Sequence, residues 1–317
     1  MEPHVCRLTA LLGTEVQDPD QDTFLLYSQP LPPSQDLGFV DARASSVQVE
    51  LGGRGVELHQ SPTLLASSRA GGTTGAVLWR TGALVAPWLA SDTPSPLTKL
   101  MLPPSPAILE IGCGISPCIA LALQPHRPHP YVLSDQSYVH KLVARNLAAA
   151  NESLPEPSRS RRQASKHQPR RRAPSSTSAS SSASSSSICF RPLDWETDSV
   201  TSALAHPRRS FDALFACDCI YNEALVAPFV QTCIQVCRLR LGDSLPATDS
   251  HGDAQPCVCL VAQQLRSHDV FLAWLTAFHA AFHVWQLPPS LLCPELQPSA
   301  GFVIHVGILR DSYSSSP

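Results

Sequence analysis

Three short stretches of this chain carry residues whose types and spacing could do chemistry. The first is Gly112-Cys113-Gly114, which follows the apolar run Ile108-Leu109-Glu110-Ile111. Glycine at such a turn lets the backbone pass close to a ligand with no Cβ in the way. The second is Asp135, at the end of Tyr131-Val132-Leu133-Ser134, where a carboxylate can accept bonds from a ribose diol. The third is Asp218-Cys219-Ile220-Tyr221, directly after the apolar run Phe211 to Cys217. A strand, a glycine turn, a helix over 115–123 and a second strand closed by an acid make up a nucleotide-cofactor half-site. The helix would offer unpaired N–H groups and a positive dipole end to an anion. A glycine pair alone is a weak signal, because the same turn also packs helices onto sheets. The strand and the acid strengthen it.

The elements that must position these residues are legible in outline. Val47 to Leu51 and Val56 to Gln60 alternate with period two around a turn at Gly52-Gly53-Arg54-Gly55, which predicts a hairpin. Phe24-Leu25-Leu26-Tyr27 reads as a strand, and Ala83 to Leu89 as an apolar helix that follows Trp79. Beyond Asp135, the apolar spacing from Tyr138 to Leu147 predicts a helix. Ile188-Cys189-Phe190 and Phe211 to Cys217 read as further strands, the latter nearly all apolar, as a central parallel strand should be. A helix from Glu223, a strand at Val258 to Ala262, a helix from Val270 to Phe282 and two closing strands at 283–285 and 302–309 complete the pattern. It predicts an α/β fold: a three-layer, Rossmann-like, seven-stranded sheet, mostly parallel with an antiparallel edge, plus an N-terminal β-hairpin extension. The expected division is 1–74 for that extension, 75–310 for the main domain and 311–317 for a flexible tail. Residues 152–187, with seven Arg or Lys followed by a serine tract, are expected as a disordered insert, since they offer too little apolar surface to offset the entropy of ordering.

In an open α/β sheet a ligand sits beyond the carboxyl ends of the strands. Gly112, Gly114, Asp135, Asp194, Trp195, Asp218 and Tyr221 fall there. No G-x-x-x-x-G-K-[ST] run is present, which speaks against a nucleotide-triphosphate site, and no Ser-His-Asp signature is visible. A dinucleotide fingerprint would want a third glycine where the chain has Pro117.

The 317 residues are 43% hydrophobic, enough for a substantial core, and the net charge of −3 gives no general attraction to nucleic acid or membranes. The start Met1-Glu2-Pro3-His4 does not read as a secretory signal, and no apolar stretch of membrane-spanning length is expected. The 11 cysteines fall mostly in apolar runs and read as free thiols of a reducing compartment. Cys217 with Cys219 and Cys257 with Cys259 lack a second ligand pair at zinc spacing, so no metal is expected.

With these motifs in order, the chain resembles the seven-β-strand S-adenosylmethionine-dependent protein-lysine methyltransferases, and within them the fungal ribosomal lysine N-methyltransferase 5 group. The residues that carry the resemblance are Gly75-Ala76-Val77-Leu78-Trp79, Leu109 to Ser116, Ser134-Asp135, Leu193-Asp194-Trp195 and Ala216 to Asn222, the last containing D-x-x-Y as Asp218 and Tyr221. It covers roughly residues 75–310 without the insert. Cys113, where Ala is common, and Ser116 depart from the pattern but are small. The resemblance implies S-adenosylmethionine as cofactor, held by Trp79, Gly112, Cys113, Gly114, Asp135, Trp195 and Cys217. It places Asp218 and Tyr221 beside an entering lysine amine of a protein substrate, a ribosomal protein of the large subunit. A cytoplasmic monomer with access to the nucleus is expected, without a stable nucleic-acid complex or a membrane. Two rival readings stand beside it: a non-catalytic interaction protein on the same scaffold, and a methyltransferase acting on RNA or a small molecule.

Overall fold

The computed structural model describes residues 3–32, 37–69, 71–91, 97–152, 187–243 and 255–310. The N-terminal part forms helices α1 (Pro3–Leu12) and α2 (Pro19–Tyr27), strands β1 (Ser46–Leu51) and β2 (Arg54–His59), and the short helix α3 (Pro62–Leu65). Helices α4 (Arg80–Ala90) and α5 (Leu97–Met101) lead to the main sheet. There β3 (Ile108–Ile111), α6 (Cys118–Ala122), β4 (Tyr131–Ser134), α7 (His140–Glu152) and β5 (Ile188–Phe190) alternate. They are followed by β6 (Ala213–Cys217), α8 (Val226–Asp243), β7 (Val258–Gln264), α9 (His268–Ala281), β8 (Phe282–Gln286) and β9 (Phe302–Leu309). The sheet order is β5-β4-β3-β6-β7-β9-β8. Strands β3 to β7 pair in parallel, and β9 is antiparallel to both its neighbours, β7 and β8. The expected seven-stranded sheet is present, with its antiparallel pairing confined to the β8 edge.

Alternation along each strand divides the core in two. Ile108, Tyr131, Leu133, Phe215 and Leu260 face the side covered by α4, α6, α7 and the β1–β2 hairpin. Leu109, Ile111, Val132, Leu214 and Val261 face α8 and α9, where Phe229, Trp274 and Phe278 are buried. The N-terminal residues join both layers: Val5, Leu8 and Leu12 the first, Val16 and Leu26 the second. The Val16 N–H also donates to Val284 O at 2.8 Å, which covers part of the exposed β8 edge.

Four expectations change. Phe24 to Tyr27 is the last turn of α2, not a strand. Asp18 caps that helix by accepting the Asp20 and Gln21 N–H groups, and Pro19 opens it with a ready-made φ. The hairpin turn is two residues, Gly52 and Gly53 at φ +59° and +76°, so Arg54 and Gly55 already belong to β2. The helix expected over 115–123 is only the five residues of α6, which begins after Pro117, so it has little dipole to offer an anion. Glu223–Gly242 is a helix of 20 residues with a mean hydropathy of 1.2, long and apolar enough to cross a membrane by composition, where no such stretch was expected. In this fold Phe229, Cys233, Val236 and Cys237 bury that helix against the sheet. The Arg/Ser insert, apart from Glu152 and Ser187, and the tail at 311–317 lie outside the described residues.

Candidate active site

The carboxyl ends of β3, β4 and β6 open onto a cleft lined by Gly112, Gly114, Asp135, Trp195, Asp218 and Tyr221. Its floor is the turn after β3. Gly112 and Gly114 hold φ at +63° and +55°, which side chains on L-residues disfavour. A Cβ on Gly112 would meet Cys219 Sγ at 2.5 Å and the Trp195 ring at 3.2 Å; one on Gly114 would meet Gly75 O at 3.0 Å. The turn is thus packed from outside by Gly75, Trp195 and Cys219. Its Cys113 N–H donates to Ser134 O at 3.1 Å, which ties it to the end of β4.

Asp135, next along β4, accepts the Gly114 N–H at 2.8 Å on Oδ2 and the Gln136 N–H at 2.7 Å on Oδ1. Burial pushes its carboxyl up to about 6, and the two N–H donors and nearby Arg69 pull the other way. Each oxygen keeps a further lone pair for a ligand hydroxyl. Trp195 forms a wall, set edge-to-face on Phe229 with ring centroids 5.3 Å apart. Trp79 also lines the cleft: its Nε1–H donates to Thr74 O at 2.9 Å and its ring meets Phe39 edge-to-face at 4.6 Å. Cys217, half-buried at the end of β6, lines the cleft.

Of the nine residues expected at the site, eight line this cleft. Cys113 does not. Its thiol is buried, donates to Gly114 O at 3.3 Å and belongs to the first core, so only its backbone serves the turn. Asp218, expected to flank an entering amine with Tyr221, is a buried and ion-paired carboxylate. It is 5% exposed, sits at φ +59°, and is ion-paired with Arg266. Thr81 Oγ1 donates to it at 3.0 Å and the Gln264 N–H at 3.2 Å. Burial raises this carboxyl, while Arg266 and those donors act against the shift. A non-glycine residue in the left-handed region at a strand end is strain that surrounding contacts must hold, and these three partners hold it. Tyr221, three residues on, is 43% exposed at the cleft mouth.

A latch of residues the sequence reading did not single out closes one side. Arg69 donates to Gln136 Oε1 at 2.8 Å and Gly72 O at 2.9 Å, and its guanidinium lies 4.4 Å from the centre of the Tyr138 ring. Tyr138 Oη in turn accepts the Gly75 N–H at 3.0 Å. Gln136, beside Asp135, and Tyr138, the first residue of the apolar spacing beyond it, were the members with a positional signal. Arg69 lies 67 positions away and had none.

The sheet order and the cleft at its carboxyl edge define a Rossmann-like α/β protein of the seven-stranded methyltransferase type in fold. No protein-family model matches the chain. It is similar to a diaminohydroxyphosphoribosylamino-pyrimidine deaminase of Schizosaccharomyces pombe, 26% identical over 271 residues that cover 86% of this chain and 53% of that protein. It is also similar to ribosomal lysine N-methyltransferase 5 of Zygosaccharomyces rouxii, 29% identical over 228 residues that cover 67% of this chain and 66% of that one. The chain thus spans about half of the first relative and just under two thirds of the second. Human N-acetylserotonin methyltransferase in complex with SAM overlaps 73% of this chain and 53% of its own, at a TM-score of 0.36 and 8% identity. The strand order, not that overlap, is the measure of the fold.

Proposed function

We propose that the chain is an S-adenosylmethionine-dependent protein-lysine N-methyltransferase whose acceptor is a ribosomal protein of the large subunit. The observation that carries the reading is the cradle formed by the Gly112–Gly114 turn, Asp135 and Trp195, with Tyr221 at its open end. Its parts suit the cofactor: a carboxylate with free lone pairs for the ribose hydroxyls, an aromatic wall for the adenine, and a bare backbone floor for the methionine portion. Bound there, the cofactor supplies an electrophilic methyl group. The chain's residues supply orientation and exclusion of water, which is most of what a displacement by a neutral amine needs. Trp79 and Tyr221 offer aromatic faces that attract a cationic sulfonium or methylated amine. Asp218, buried and held by Arg266, Thr81 and the Gln264 N–H, fixes the start of the loop that carries Tyr221. The half-exposed Asp194 and the exposed Glu196 at the cleft favour a basic acceptor. The Zygosaccharomyces relative supports lysine as that acceptor.

The name of the Schizosaccharomyces relative would suggest deamination instead. Zinc deaminases of nucleobases carry H-x-E and P-C-x-x-C. This chain has neither, and Pro256-Cys257-Val258-Cys259 is one residue short of the second. Methyl transfer is therefore the reading adopted, with the cytoplasm as its place of action.

The test is incubation of a cell lysate with tritium-labelled cofactor and the purified protein, followed by protease or nuclease digestion. Label released by protease alone, and found on lysine of a large-subunit protein, supports the reading. Label released by nuclease, or none at all from a protein that fails to bind the cofactor, defeats it.

A further inference from the structure

A second groove adjoins the cofactor cleft and shares Thr74, Trp79 and Tyr221 with it. Its polar floor is the end of β7 and the residues after it. Gln263 is 3% exposed, and its Nε2 is covered and bonded to nothing; the same holds for Arg266 Nε. The other end of the Arg266 guanidinium is engaged, by Asp218 and by Gln264 Oε1 at 3.3 Å. Two N–H donors without acceptors therefore lie at the base of one groove, next to where a methyl group would be transferred. Buried donors in folded proteins are nearly always satisfied, and an exception calls for a reason.

The rim is apolar. Among the described residues, five large hydrophobic side chains are exposed: Phe24, Leu25, Leu37, Val40 and Tyr221. Leu37 and Tyr221 line the groove itself, with Tyr27. Phe24 lies three residues before Tyr27 in α2, and so on the same helix face. Exposed Leu37 and Tyr221 beside Tyr27, with Phe24 on the adjoining helix face, give a polar-floored groove an apolar rim, as surfaces that bind macromolecules have.

Resting on the function proposed above, we propose that this groove docks the extended segment of the protein acceptor next to its target lysine. The Gln263 and Arg266 N–H groups take a main-chain carbonyl of that segment, and Leu37, Tyr27 and Phe24 take one of its apolar side chains. A peptide fits because it brings both an uncharged oxygen acceptor and an apolar side chain. An RNA strand would bring phosphates, and Asp218 already neutralises Arg266, the one cation among the described residues that line the groove.

The experiment measures initial rates with labelled cofactor and total large-subunit ribosomal protein as acceptor, for the full chain and for Gln263→Leu, Leu37→Asp and Phe24→Ser. The Leu37 and Phe24 variants change exposed side chains, so a folding defect in Gln263→Leu leaves two probes. The expected result is a rise in KM for the acceptor of at least fivefold in each folded variant. kcat stays within twofold, and cofactor affinity measured by calorimetry is unchanged. Labelling by the wild type with the same acceptor KM in every variant overturns this inference and leaves the proposed function standing. Absence of any protein labelling by a cofactor-binding wild type overturns both.

Discussion

The Asp135 carboxylate accepts the Gly114 N–H at 2.8 Å, which joins the acid that ends β4 to the glycine turn that ends β3. Two stretches of sequence 21 residues apart thereby become one surface. Asp135 both shapes the floor of the cleft and presents its remaining lone pairs to it. Replacing Asp135 with Ala removes both. We expect cofactor affinity, measured by calorimetry, to fall at least ~30-fold, in line with about 1.5–3 kcal/mol for each hydrogen bond to a charged group.

The same carboxyl makes binding dependent on pH. Its value of about 6 means that it is ionised at neutral pH and takes up a proton as the pH falls below 6. A protonated acid accepts hydroxyl donors less well, so cofactor affinity should drop between pH 7 and pH 5. Asp135→Asn should bind weakly at both values and lose the dependence. Equal pH dependence in wild type and Asn variant would contradict this assignment.

Glu110 gives a second pH signature, in stability instead of binding. It lies in β3 beneath the sheet, receives a 2.6 Å bond from Tyr131 Oη, and burial pushes it up to about 8. Its folded value exceeds the ordinary 4.5, so the folded state binds the proton more tightly. The stabilisation is complete below pH 4.5 and is lost as the pH rises through 8, with a slope of at most about 1.4 kcal/mol per pH unit for one proton. Thermal melts should show Tm falling from pH 6 to pH 9, and Glu110→Gln should flatten that fall.

Arg266, partly exposed, and Asp218, buried, are an ion pair whose members cannot be removed one at a time. Arg266→Met leaves a carboxylate 5% exposed without its counter-charge. The expected cost is about 3–5 kcal/mol in denaturant unfolding. Adding Asp218→Asn should return a large part of it. A double variant no more stable than Arg266→Met alone would show that the pair is not the source of the loss.

Tyr221→Phe tests the mouth of the cleft. The phenol is exposed and makes no contact that the fold depends on, so Tm should change by less than about 1 °C, as expected of a surface position. Phe keeps the aromatic face and removes only the hydroxyl that the proposed function sets beside the entering amine, so kcat should fall ~100-fold or more, the lower end of the usual contribution of a proton-handling group. An unchanged kcat would remove Tyr221 from the chemistry.

Much of the architecture could be read from residue order alone, because it rests on local patterns. The apolar run of β6, the period-two alternation around Gly52-Gly53 and the glycine turn before Asp135 each state their own conformation. Their succession leaves few ways to build a sheet. Where the reading failed, a nearby capping signal outweighed an apolar run: Asp18-Pro19 starts a helix that carries Phe24 to Tyr27 with it. Pro117 shortens α6 by the same kind of local rule. Composition placed Asp135, Trp195 and Asp218 at strand ends, and so near a ligand. Tertiary structure alone decided what each of them does there. The ion pair to Arg266, the Thr81 bond and the Arg69 latch join residues 48, 137 and 67 positions apart. No spacing rule reports such distances, since burial and charge complementarity act only once the chain has brought the groups together. The sequence by itself determined that eight of the nine expected residues would gather at one cleft; the packing decided that Asp218 is buried and ion-paired and that Cys113 lends only its backbone.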